Sequence, residues 1–182
     1  MNTFRKILIA VLWVPFASVS SAGSKTQTLL DQLGQAQSME QASPIVEKLW
    51  KEWTAAHKNE DEKALMAKGI VAMSKGNLDR AENLFTKLIE LNPDFTEAWN
   101  KRATLRFMTW DFEGSLKDVE KVLALEPRHF GALSGLGMIY LRLGDPENAL
   151  KAYEDLLHIF PSNADAIQKT ILLKDYLGIN TL

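Results

Sequence analysis

Pro93, Pro127 and Pro161 stand 34 residues apart, and each closes a run of one kind: Leu-Ile-Glu-Leu-Asn-Pro, Val-Leu-Ala-Leu-Glu-Pro and Leu-Leu-His-Ile-Phe-Pro. A period of this length fits one helical hairpin per unit. Such a hairpin cannot bury its own apolar face, so neighbouring units must stack, and the stack leaves a curved inner surface. Each proline ends a helix, because it has no amide hydrogen to continue the ladder and disfavours helical backbone before it.

Taking Pro93 as position 32 of a 34-residue unit divides the chain into repeats at 62–95, 96–129 and 130–163. The third reads Leu133-x-x-Leu136-Gly137-x-x-Tyr140, then Ala149-x-x-x-Tyr153, then Pro161. The first carries Leu65, Gly69, Ala81, Phe85 and Pro93, and the second Trp99, Ala103, Ser115, Val119 and Pro127. These residues resemble the tetratricopeptide-repeat (TPR) pattern, closely in the third unit and more loosely in the others. Arg102 and Arg106 depart from it, since Leu and Tyr are common in those slots. The resemblance implies an all-α, right-handed superhelical stack that binds a peptide or protein and performs no chemistry, in a small exported bacterial member of the family.

Gly69, Ala103 and Gly137 fall mid-helix, where a small residue lets the paired helix approach, and Ala81, Ser115 and Ala149 are expected to meet them from the second helix. Asp94-x-x-Glu97 reads as a capping box, and Asp145-Pro146 as an N-cap followed by proline at the first helical position. Gly76 and Gly144 supply turns inside the first and third repeats. Trp110 takes that place in the second, so its backbone is expected to avoid the left-handed region that glycine tolerates. Residues 164–182 form a C-terminal capping helix, ended by Gly178 and expected to solubilise the array. Residues 23–61 carry Leu29, Leu30, Leu33, Ile45, Val46, Leu49, Trp50 and Trp53 at helical spacing, with a helix start at Ser38-x-x-Gln41 and Pro44 near it, which suggests a degenerate hairpin.

Residues 1–22 have the three parts of a secretory signal: Arg5 and Lys6, the apolar run Ile7 to Phe16, and Ser20-Ser21-Ala22 ahead of a cut after Ala22. The apolar run contains Pro15 and falls short of the roughly 20 residues of a spanning helix. The chain has no cysteine, so packing alone holds the fold and the lipid-modified type of signal is excluded. These features lead to a soluble periplasmic protein. Loss of the signal changes the balance from 21 basic and 23 acidic residues to 19 and 23, a formal charge of −4. With no basic stripe, nucleic acid is not expected as a partner.

In the family that the pattern resembles, the first helix of each repeat lines the concave face. The corresponding candidates for a peptide or protein are Met66, Ile70 and Met73; Asn100, Thr104, Phe107 and Met108; and Ser134, Met138, Leu141 and Arg142. Four methionines make the middle of this surface apolar and adaptable, suited to an amphipathic segment of an envelope protein. The other reading is that Trp50, Trp53 or their neighbours fold back and fill it, in a self-assembling structural protein. The family's carboxylate clamp for chaperone C-termini is missing, because Met66, Ile70, Lys101, Gly131 and Gly135 occupy its positions. Arg102 and Arg106 share a helix face and suit either a bound carboxylate or internal pairing with Asp118 or Glu120. Trp110 beside Phe112 is expected to pack beneath its turn, or else to anchor a partner. His57, His129 and His158 have no ligand spacing, so neither metal nor other cofactor is expected, and no nucleophile-base or paired-carboxylate arrangement suggests an enzyme.

Overall fold

The computed structural model describes residues 21–179. The expected signal segment therefore lies outside the described residues as far as residue 20, as do residues 180–182. Helices run over Ser21–Gln35 (α1), Met39–Thr54 (α2), Glu60–Ser74 (α3), Leu78–Leu91 (α4), Thr96–Met108 (α5), Phe112–Leu125 (α6), Phe130–Leu143 (α7), Pro146–Ile159 (α8) and Ala164–Tyr176 (α9). The pairs α3/α4, α5/α6 and α7/α8 are the three hairpins expected from the proline period. They stack in chain order, with α3, α5 and α7 side by side along the inner face.

Residue size sets the helix crossing within each repeat. A Cβ on Gly69 would lie 2.5 Å from the Phe85 ring, and one on Gly137 would lie 2.5 Å from Tyr153. The glycine thus seats the aromatic ring of its own repeat. In the middle repeat the smaller Val119 replaces the ring, Ala103 takes the glycine's place, and the Ser115 hydroxyl donates to the Ala103 carbonyl at 2.8 Å.

Three turns share one backbone geometry, with φ of 72° at Gly76, 75° at Gly144 and 66° at Trp110. Trp110 is therefore left-handed, contrary to the expectation from its side chain. The Asp111 amide donates to the Arg106 carbonyl at 2.9 Å, matching Asn77 to Ala72 and Asp145 to Tyr140, and this closure requires a left-handed residue whatever its side chain. The hairpin geometry outweighs a strain of about 1–3 kcal/mol. Trp110 also does not pack beneath the turn: it is 72% exposed.

The caps follow the sequence in part. Asp145 accepts from the Asn148 amide with Pro146 in the first turn, and Ser38 accepts from the Gln41 amide. Helix α2 runs through Pro44, the sixth residue of the helix. The Asp94 capping box does not form: Phe95 is the N-cap of α5 without a side-chain bond, because Glu97 points inward to other partners. Both arginines of α5 pair internally. Arg102 holds Asp118 through two 2.8 Å bonds and reaches Thr86, while Arg106 bonds Glu82 at 2.9 Å and Asp118 at 3.1 Å. Asp118 is shared and buried, whereas Glu120 stays exposed.

Helices α1 and α2 form a hairpin that leaves the order of the stack. Instead of covering the first repeat, α1 packs on α8, and Leu29, Leu30, Leu33, Leu49 and Trp53 join one core with Phe130, Tyr153, Leu156 and Phe160. Arg128 binds Asp31 at 2.7 Å at this junction. At the other margin of that core, α9 buries Ala166, Thr170 and Leu173 but leaves Ile171, Leu172 and Tyr176 outward, so the capping helix has an apolar outer surface.

Candidate functional site: a half-closed inner face

The fold-back divides the inner face in two. Across its amino-terminal half, Trp53 stacks on His129 with ring centroids 4.0 Å apart, and Trp50 meets His129, Phe130 and Trp53 edge-on at 5.3–5.6 Å. A Cβ on Gly131 would lie 2.5 Å from the Trp50 ring, so the absence of a side chain there admits the indole. Lys101 sits over the same ring at 5.4 Å.

Beneath the tryptophans is a buried polar set. His129 Nδ1 accepts the Ala132 amide at 3.1 Å, which leaves the ring proton on Nε2, 3.3 Å from Glu97 Oε2. Asn100 donates to the same oxygen, and the Lys101 ammonium lies 2.9 Å from Oε1. Burial pushes the Glu97 carboxyl up, but the His129 hydrogen bond and the Lys101 charge outweigh it and hold the group below its usual range. Glu97 is thus a buried anion, hydrogen-bonded through Oε2 and ion-paired with Lys101 through Oε1, and it joins α5 to α7 under α2.

The structure separates the sequence candidates by half. Met66 is buried in the core with Phe85 and Phe95, and Asn100 is buried on Glu97, so each offers a ligand very little surface. Ile70, Thr104, Met108, Leu141 and Arg142 are exposed, while Met73, Phe107, Ser134 and Met138 are half-buried. Between α5 and α7 the face dips into a cavity of about 70 Å³ lined by Thr104, Phe107 and Met138 among others. A larger cleft of about 480 Å³ opens between α2 and α3, with Trp50, Met66 and Ile70 along it and Lys51 and Lys63 at its edge. At the carboxy-terminal rim, Arg142 lies 5.6 Å from the Trp110 ring.

His129, Glu97 and Gly131 were not picked out as a unit by their spacing. The pair Trp50 and Trp53, three apart on one helical face, was the visible sign that α2 carries an aromatic ridge needing cover. The clamp positions contain no cluster of free cations, because Lys101 is engaged with Glu97 and Trp50. Among the described residues, no group of His, Asp or Glu has the arrangement of a metal site, and no helix is long and apolar enough to cross a membrane.

Comparison with known proteins agrees with the repeat architecture. Tetratricopeptide-repeat family models match residues 62–95 and 110–164. A TPR repeat-containing protein of Rhizobium etli is 34% identical over 161 residues, covering 88% of this chain and 78% of the relative. The small glutamine-rich tetratricopeptide repeat-containing protein 2 of Saccharomyces cerevisiae is 30% identical over 105 residues, 58% of this chain but only 30% of that protein. Among solved structures, the first TPR of Spaghetti (RPAP3), bound to the HSP90 peptide SRMEEVD, superposes with TM-score 0.63 at 24% identity over 68% of this chain and 98% of that one. MamA does so with TM-score 0.62 at 21% identity, covering 90% and 88%. At these identities the two structures establish the fold alone. With its three helical hairpins at the matched positions and a relative similar along most of both chains, the protein belongs to the tetratricopeptide-repeat family.

Proposed function

We propose that the protein is an interaction module that holds an amphipathic segment of another protein against the carboxy-terminal half of its inner face. The observation that carries this reading is the division of that face: Trp50 and Trp53 occupy one half, while Thr104, Met108 and Leu141 stay uncovered in the other. Methionine and leucine give an adaptable apolar floor, and Arg142 with Trp110 gives a polar and aromatic rim. The RPAP3 domain is described with a bound HSP90 peptide. Here the clamp positions hold Met66, Ile70, Lys101, Gly131 and Gly135, so the ligand is recognised through its apolar side chains and not through a terminal carboxylate.

The reading extends to an exported, periplasmic protein whose partner lies in the cell envelope. Arg5 and Lys6, the apolar run after them, Ser20-Ser21-Ala22 and the absence of cysteine support it. Cell fractionation with a shift in size on cleavage after Ala22 tests the location. For the binding face, a photoreactive residue placed at Thr104, Met108 or Leu141 in vivo is expected to capture the same partner, and one at the exposed Lys117 on α6 is not. Equal capture from all four positions, or none from the inner three, refutes the assignment.

A further inference from the structure

We propose that the two ends of the repeat stack bind each other, so that α9 of one copy docks on the outer side of α3 and α4 of a second copy. The argument starts from the fold-back. A repeat array needs a cover at each end, since every unit leaves apolar surface toward its neighbour. Here α1 and α2 pack against the third repeat, and the first repeat lacks the unit that would precede it.

That bare end is shaped. Ala67, Val71 and Ala72 line a cleft of about 500 Å³ between α3 and α4, bordered by Lys68, Lys75 and Arg80. Val71 is 50% exposed, and none of the three cations belongs to an ion pair among the described residues. The opposite end carries the complementary features. Ile167, Ile171, Leu172, Tyr176 and Ile179 are spread over the outward side of α9 and just beyond it, all at least 40% exposed. Tyr176 is the most prominent at 76%, and its neighbour Asp175 is likewise in no ion pair among the described residues. A protruding aromatic beside an acid thus faces outward at one end, and an apolar cleft beside three cations at the other. The two surfaces differ, so the contact is heterologous: a pair of copies still has one unused end of each kind, and growth does not stop at two. A partner copy seated this way continues the direction of the stack and leaves the inner face free.

Sedimentation velocity and light scattering of the full mature chain over a wide concentration range test this. The mean mass is expected to rise past that of a dimer as concentration increases, and Tyr176→Ala or Leu172→Glu is expected to move the midpoint at least tenfold higher with helicity unchanged. Arg80→Asp and Asp175→Arg are each expected to weaken assembly several-fold alone. An equimolar mixture of these two variants should recover it, since every junction between unlike copies then has opposite charges. A strict monomer at all concentrations overturns the proposal. So does a mass that stops at the dimer and ignores Arg80→Asp, which describes α9 packing on its own symmetry mate.

Discussion

Replacing Trp53 with alanine should detach the amino-terminal hairpin while leaving the three repeats folded. Trp53 is 5% exposed, stacked on His129 at 4.0 Å and tilted against Phe130 at 5.2 Å. Truncating a buried tryptophan costs about 3–5 kcal/mol through lost burial and the cavity left behind. The lower end applies, because the Trp53 indole N–H is buried without an acceptor, so its removal sacrifices no hydrogen bond. About 3 kcal/mol corresponds to roughly two powers of ten in the opening equilibrium. The contacts that hold α1 and α2 run to α8, α7 and α5, and their loss leaves each of the three hairpins its own partner. Hydrogen exchange read by mass spectrometry should therefore show amides in 25–54 exchanging about a hundredfold faster, with far smaller changes in 62–125. Equal acceleration along the whole chain, or less than tenfold in 25–54, would refute the view that the hairpin is a separable cover.

Other consequences follow from the inner network and the strained turn. Asp118→Ala leaves two guanidinium groups without their shared carboxylate, and chemical denaturation should show a loss of about 3–5 kcal/mol. A loss under 1 kcal/mol would mean that Glu82 and solvent suffice. At Trp110, glycine should be more stable than alanine by about 1 kcal/mol in thermal unfolding, since both lose the exposed ring but only alanine keeps the left-handed strain. Acid should loosen the α5–α7 junction in a defined direction. The folded Glu97 group lies below its ordinary value of 4.5, so its stabilisation is present above that pH and is lost as pH falls through the lowered value. Glu97→Gln should flatten this acid limb in a stability-versus-pH series, and an unchanged limb would assign the acid response to other groups.

The repeats were legible because their signals are local. Proline, the small helix-crossing residue and the ring that follows recur at one spacing, and each acts within its own hairpin. Local also were Asp145-Pro146 and Ser38-x-x-Gln41, where cap and helix are adjacent. Local pattern and structure diverge where a distant element claims a residue. Glu97 has the spacing of a capping box, but His129, 32 residues on, takes its carboxylate. Arg106 found Glu82 on the preceding repeat, whereas Asp118, on the helix after its own, could be anticipated. Trp110 takes a left-handed backbone against the preference of its side chain because all three hairpins share that turn. The path of α1 and α2 depends on Gly131 making room for Trp50, a contact between residues 81 positions apart that no periodicity encodes.

The division of the inner face rests on where that hairpin lies, and a cross-link measures it most directly. The chain has no cysteine, so Asp31→Cys with Arg128→Cys gives one defined pair in place of the 2.7 Å ion pair between α1 and the α6–α7 loop. Treated in dilute solution with a short bifunctional thiol reagent, the double variant should close an intramolecular bridge in most molecules, at monomer mass. A hairpin stacked on the first repeat, with the whole inner face open, would leave the two thiols singly modified and unbridged.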